Sequence, residues 1–148
     1  MGIKKQEFYE GAALHLLARS GLVTSLRYDQ PFFEVNGHTS VLLKYSTKGR
    51  SPWGFTFVPE EQVALRDKAV AGKTVIGLVC GADGVASFDF ASYLEIASVR
   101  NSSLRIACYR NHGEHYEVSG PDGILGRKIA PSSWQRILRG GNRTDESR

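Results

Sequence analysis

The pattern of apolar residues divides the chain into stretches with helical spacing and stretches with strand spacing. Apolar side chains recur every three or four residues from Lys4 to Ser20, which predicts a helix with one buried face that ends at Gly21. Strands are predicted at Leu22–Tyr28, Phe32–Val35, Thr39–Ser46, Gly54–Val58, Thr74–Cys80, Val85–Phe88, Leu104–Arg110 and His115–Ser119. Further helices are predicted from Pro59 to about Ala71, from Asp89 or Ser92 through Ala97, and as a last turn at Ser132–Leu138.

A hairpin is predicted around Asn36-Gly37, because this dipeptide lies between two apolar-rich runs and favours a tight turn. The second run is unusual in carrying Lys44, a charge inside a strand. If the turn has two residues, Phe33 and Val35 share a face of the hairpin with Lys44. Glu34 then points away from that lysine unless a bulge shifts the pairing.

The order of elements predicts a mixed α/β (α+β) sandwich around one central mixed sheet flanked by helices. A β-rich C-terminal extension follows, and whether residues 104–138 continue the sheet or form a dimer contact stays open. A single domain is expected over residues 1–139. The stretch 140–148 is polar, has no apolar anchor and is expected to be disordered.

Composition restricts the class of protein. With 148 residues, 41% of them hydrophobic, the chain suits one domain with one core. No window approaches the roughly 18 uninterrupted apolar residues of a membrane span, and the N-terminus lacks the apolar run of a signal peptide. Cys80 and Cys108 lie in apolar runs without CxxC spacing, so buried free thiols and a cytoplasmic location are expected.

Motifs for the common catalytic chemistries are missing. The sequence has no phosphate-binding glycine loop, dinucleotide motif or serine nucleophile elbow. His112, Glu114 and His115 lie together on a predicted loop, but a metal site needs three or four ligands and supporting hydrogen bonds. A solvated loop is the simpler interpretation, and no metal is assigned.

The charge balance permits a nucleic-acid partner, because 19 Lys and Arg against 15 Asp and Glu give a net charge of +4. The best surface is the polar loop from Ser46 to Trp53, whose cations would contact phosphates while Trp53 stacks on a base. Trp53 also fits a core position. The predicted nucleic-acid-binding residues are Lys44, Lys48, Arg50, Trp53, Arg127 and Lys128. DNA is the expected partner, no membrane is expected, and a homodimer or a protein partner stays open.

Three short segments carry a resemblance to a known family. They read PFFEVNG from Pro31, LLKYS from Leu42 and WGFTF from Trp53, after a predicted helix and before a helix and a buried strand. This layout, over about residues 4–97, resembles the PD-(D/E)xK superfamily, which has the restriction-endonuclease-like fold. One branch of that superfamily carries an acid before a VNG turn, then an E-x-K strand, a polar loop and a strand rich in Trp and Phe.

The resemblance implies a nuclease site at the hairpin. Such nucleases hold Mg²⁺ with two carboxylates on neighbouring strands, and the strand lysine adds positive charge beside the scissile phosphate. Here the first acid position is Phe32 and the second is Leu42, so only Lys44 matches. Displaced acids that would replace the missing ligands are Glu34, Glu10 and Asp29.

Three functional hypotheses follow. The first is a restriction-endonuclease-like domain that binds nucleic acid, has lost its metal-binding carboxylates and needs no cofactor. The second is an active Mg²⁺-dependent nuclease in which Glu10 and Glu34 lie beside Lys44. The third is an accessory module that binds another protein and uses the fold only as a scaffold.

Overall fold

Three α-helices and nine β-strands follow one another along residues 2–139, the part of the chain that this computed structural model describes. The helices are α1 (Lys5–Ala18), α2 (Pro59–Ala71) and α3 (Phe90–Ile96). The strands are β1 (Leu26–Asp29), β2 (Phe32–Val35), β3 (Thr39–Ser46), β4 (Trp53–Phe57), β5 (Lys73–Cys80), β6 (Gly84–Asp89), β7 (Leu104–Tyr109), β8 (Glu117–Gly120) and β9 (Gly123–Ile124), and a 3-10 turn covers Pro131–Arg136. The predicted elements are confirmed with shifts at their ends. The tail predicted to be disordered, 140–148, lies outside the described residues.

The strands form two sheets, so the predicted single sheet is wrong. Sheet 1 has the order β1-β2-β3-β5-β6, and it is mixed because β3 and β5 are parallel while its other neighbours are antiparallel. Sheet 2 has the order β4-β7-β8-β9 and is antiparallel. The β-rich C-terminal segment therefore forms its own sheet, and it recruits β4 from the middle of the chain.

Each face of sheet 1 is covered by a different layer. One face packs against sheet 2, α2 and α3 in a core that includes Leu42, Ile76 and Phe88. The other face packs against α1 and the 3-10 turn, where the buried Trp134 donates its Nε1–H to the carbonyl of Ala13 at 2.8 Å. Burial on both faces explains the continuous apolar run of β5, which is buried from Thr74 to Cys80.

The helices begin where side chains satisfy free backbone groups. At the start of α2, Pro59 occupies the first turn and Glu61 Oε1 accepts the Val58 N–H at 3.0 Å. Asp89, one of the two residues predicted to cap α3, does so by accepting the Ser92 N–H at 2.9 Å. Among the helices of residues 2–139, none has the length and apolar character to cross a membrane.

The β2–β3 hairpin is confirmed, but its loop has three residues, Asn36, Gly37 and His38, rather than two. Asn36 and Gly37 both take positive φ, 58° and 75°, a conformation that these residue types tolerate. The extra residue changes the pairing so that Glu34 lies opposite Ser40. Glu34 therefore lies on the same face of the sheet as Lys44, and the prediction that it points away is wrong.

The two cysteines are free and buried, as predicted. Cys80 ends β5 and Cys108 lies in β7, so the two thiols meet in the core between the sheets. The hydrogen bond with Cys108, together with burial, raises the pKa of the Cys80 thiol. A thiol held protonated in an apolar core is a poor nucleophile.

Candidate functional site

At the carboxyl end of β3, sheet 1 has no strand from residues 2–139 on one side of β3. β2 accompanies β3 only as far as the Phe32–Leu42 pair, whereas β5 continues beside it to Ser46. The last residues of β3 therefore have a neighbouring strand on one side only, and a cavity of about 540 Å³ lies at this edge. We call it the Lys44 cavity; its lining includes Gln6, Glu10, Lys44, Tyr45, Thr56 and Glu61.

Lys44 is paired with a carboxylate from α2. Its Nζ lies 2.7 Å from Oε2 and 2.9 Å from Oε1 of Glu61, and 5.1 Å from the centre of the Phe57 ring. The side chains are 18% and 23% exposed, so most of this ion pair is shielded from water. The lysine charge is thus largely neutralised within the chain. The sequence predicted the helix that begins at Pro59 but not this contact of Glu61.

Glu10 reaches the same cavity from α1. It is 9% exposed, and its Oε2 accepts a hydrogen bond from Gln6 Nε2 at 2.8 Å. Burial raises the pKa of the Glu10 carboxyl above its usual value of 4.5, with the Gln6 hydrogen bond acting in the opposite direction. Of the acids predicted beside Lys44, Glu10 is the one that lines its cavity.

Phe32 and Leu42, which stand where the resemblance would put the metal's carboxylates, are direct cross-strand partners in sheet 1. Their side chains lie on one face of the sheet and belong to the core between the sheets, where they are 3% and 2% exposed. The hairpin thus brings the two positions together as a metal site would require, but it fills them with apolar groups that cannot ligate Mg²⁺.

The other displaced acids are engaged away from Lys44. Glu34 lies opposite Ser40, four residues before Lys44 and hence about 13 Å along the strand, and its carboxylate binds Arg27 at 2.6 Å. Asp29 accepts from Lys68 Nζ at 2.8 Å, and this hydrogen bond lowers the pKa of its carboxyl. The prediction that Glu34 lies beside Lys44 is wrong, because the three-residue loop brings Glu34 to the face of Lys44 but still leaves it four residues away along β3.

The loop between β3 and β4 exposes Lys48 and Arg50, and neither has a carboxylate partner within residues 2–139. Trp53, predicted to stack on a base, is only 2% exposed. Its ring packs edge-on against Tyr116, and its Nε1–H bonds to the Lys48 carbonyl at 3.1 Å. The stacking prediction is therefore wrong, and Trp53 instead anchors the loop that carries the two cations.

Arg105 adds a cation that sequence reasoning missed. It lies on β7 directly opposite Thr56, and its guanidinium extends over Gly54, where a Cβ would collide with it. Gly54 and Thr56 both line the Lys44 cavity, so the Arg105 guanidinium lies beside its lining residues without belonging to the lining itself. Only the strand pairing of sheet 2 reveals this placement.

Arg127 and Lys128 lie elsewhere. They line a second cavity that shares no lining residue with the Lys44 cavity. Lys128 Nζ lies 3.7 Å from Oε1 of Glu114, with both side chains more than half exposed. The predicted nucleic-acid-binding residues therefore fall into two separate surfaces.

No group of three or more His, Cys, Asp or Glu side chains is arranged for metal binding within residues 2–139, including His112, Glu114 and His115. No protein-family model, curated protein or solved structure matches the chain.

Replacing Lys44 with Met should lower the free energy of unfolding by about 1–2 kcal/mol, because Glu61 keeps its charge in a largely enclosed position without its partner. The double variant K44M/E61Q should recover part of that loss, since no unpaired charge remains. Urea unfolding of the wild type, both single variants and the double variant measures the coupling energy. A coupling energy near zero would show that the pair contributes nothing.

Replacing Glu10 with Gln should stabilise the fold near pH 8 and have little effect near pH 4. The folded chain holds the Glu10 proton more tightly than the unfolded chain, because burial raises the pKa of this carboxyl. The stability that the fold gains from the protonated Glu10 carboxyl is fully present below the pKa of this group in the unfolded chain, about 4.5. It is lost as the pH rises through the higher pKa of the folded chain. The melting temperature of E10Q, measured as a function of pH, should exceed that of the wild type by an amount that grows above pH 4. The exposed control E60Q should show no such growth.

Proposed function

We propose that this chain binds nucleic acid through the rim of the Lys44 cavity, on a restriction-endonuclease-like fold that has lost its metal-binding carboxylates. The element order supports the fold: a helix, three antiparallel strands, and a crossover through α2 into a strand parallel to β3. The resemblance in the hairpin segments supports the nucleic-acid partner.

The observation that carries the proposal is the Phe32–Leu42 pair. These two positions are adjacent in space, and both are committed to the core. The lysine that matches the motif is itself bound to Glu61, so it serves the α2 contact instead of facing a scissile phosphate. Together these contacts favour a fold that was kept for binding after metal-dependent catalysis was lost.

Cations around the cavity supply the means to bind phosphates. Lys48 and Arg50 lie on the loop that joins two of its lining strands, and Arg105 reaches its edge over Gly54. Exposed Lys and Arg side chains attract the nucleic-acid backbone without regard to sequence, and the affinity then falls steeply with salt. Binding of this kind would be non-specific.

One observation favours a second candidate, a Mg²⁺-dependent nuclease with relocated acids. Glu10 and Glu61 both line the cavity with Lys44, and carboxylates facing one space are the ligands that Mg²⁺ prefers. For this site to work, Glu61 would have to leave Lys44 and α2 would lose a contact at its first turn. The geometry therefore supports the binding function better.

Reversing the loop charges with K48E/R50E should weaken binding to a fluorescently labelled duplex by at least tenfold at low salt. The slope of log Kd against log salt should fall by about 2, because binding releases about one counterion fewer for each phosphate contact that is lost. Fluorescence anisotropy over a series of salt concentrations measures both quantities for duplex and single strand.

The matched control is R19E/R66E, which makes the same change in net charge at two exposed positions outside the cavity lining. Equal losses for the two double variants would mean that general charge, rather than this rim, attracts the nucleic acid. Absence of binding by the wild type at low ionic strength would contradict the proposal and leave the protein-interaction module.

Plasmid incubated with the wild type in Mg²⁺ or Mn²⁺ should remain uncut, because the two motif acids are replaced by core side chains. Cleavage is followed by agarose electrophoresis beside E10Q and K44A. Metal-dependent cleavage that disappears in both variants would reject the binding-only function in favour of the nuclease.

A further inference from the structure

The second cavity lies at the opposite end of sheet 1 from Lys44. It has a volume of about 400 Å³ and adjoins the start of β5, the end of β6, α3 and the 3-10 turn. In the parallel β3–β5 pair, Lys44 lies beside Leu78, whereas Lys73, which lines this cavity, lies beside Thr39. We call it the β6 cavity, because β6 is the edge strand that borders it.

The lining of the β6 cavity combines an apolar part with polar and charged groups. Five apolar side chains come from β5, β6, the segment after β9 and the residue after the 3-10 turn, namely Val75, Phe88, Leu125, Ile129 and Ile137. A cavity of this size with such a mixed lining suits a small organic molecule rather than a polymer. The apolar side chains would contact the apolar body of such a ligand.

Two nearly buried hydroxyls lie among these walls. Ser87 is 6% exposed and Ser92 is 9% exposed, and both line the cavity. The Ser92 N–H is bound by Asp89. Neither serine hydroxyl is among the fully buried polar atoms that lack a hydrogen-bond partner within residues 2–139, so neither one by itself requires a ligand. Both add polar surface to the lining of the cavity.

A cation at the rim has no partner in the described part of the chain. Arg127 is exposed and makes no ion pair or hydrogen bond with residues 2–139, whereas Lys73 donates to the Ile137 carbonyl and Lys128 lies near Glu114. Two acids also line the cavity: Asp89 caps α3, and Glu95 is exposed on α3. The cations of the lining, Lys73, Arg127 and Lys128, outnumber these two carboxylates. An Arg side chain with all its donors free favours a carboxylate, phosphate or sulfonate.

We propose that the β6 cavity binds a small organic anion, with its apolar body between Phe88 and Ile129 and its acidic group on Arg127. This site is separate from the proposed nucleic-acid surface, and it does not depend on that function. It also assigns Arg127 to a small-molecule ligand instead of a nucleic-acid backbone.

Two dyes that differ in one group test the proposal. 1-Anilinonaphthalene-8-sulfonate carries an apolar ring system and a sulfonate, and N-phenyl-1-naphthylamine has the same rings without the sulfonate. Fluorescence titration of the full chain should give one site per molecule, with the sulfonate dye bound at least tenfold more tightly. R127Q should remove about tenfold of that affinity, the effect of one charge-assisted hydrogen bond, and leave the neutral dye unchanged.

Two further variants locate the site. R19Q makes the same change at the residue that follows α1 and should alter neither dye. Gly126 lines the cavity with open space around it, so G126L should fold normally and weaken both dyes by occupying part of the volume. Equal affinities for the two dyes, equal effects of R127Q and R19Q, or displacement of the sulfonate dye by a DNA duplex would each overturn the proposal.

Discussion

The parallel pairing of β3 with β5 is the constraint on which the rest of the structure depends. Eight consecutive residues of each strand are in register, and parallel strands require the chain to return along the sheet before the second strand begins. That return holds both β4 and α2. β4 can therefore pair with β7 and form part of sheet 2. α2 then leads the chain to the start of β5. One crossover thus creates the second sheet, the core between the sheets, and the edge where β3 is open.

The Lys44–Glu61 ion pair follows from the same crossover. Because α2 starts near the carboxyl end of β3, its first-turn acid meets the one lysine inside that strand. The pair links sheet 1 to α2, while the neighbouring Phe32 and Leu42 belong to the core between the sheets. The proposed nucleic-acid surface therefore relies on three exposed cations near this cavity, Lys48, Arg50 and Arg105, while the nearly buried Glu10 lines the cavity itself.

Local signals in the sequence were sufficient for the elements and insufficient for their assembly. Period, caps and turn residues predicted the β2–β3 hairpin, the Asp89 cap and the buried strand β5, since each depends on neighbouring residues. The loop length at Asn36 escaped prediction because its side chain is fixed by a distant segment, accepting the Thr24 N–H at 2.6 Å and donating to the Leu22 carbonyl. Glu61 beside Lys44 and Arg105 over Gly54 depend on pairing between remote strands and helices, which spacing along the chain does not encode.

Binding of a labelled duplex in EDTA and in Mg²⁺ at matched ionic strength tests most directly whether this fold holds nucleic acid without a metal. Contact through Lys48, Arg50 and Arg105 alone predicts the same affinity and the same salt dependence in both buffers. Binding that appears only with Mg²⁺, or that is lost when Glu10 is replaced by Gln, would contradict it and point to a working metal site in the Lys44 cavity.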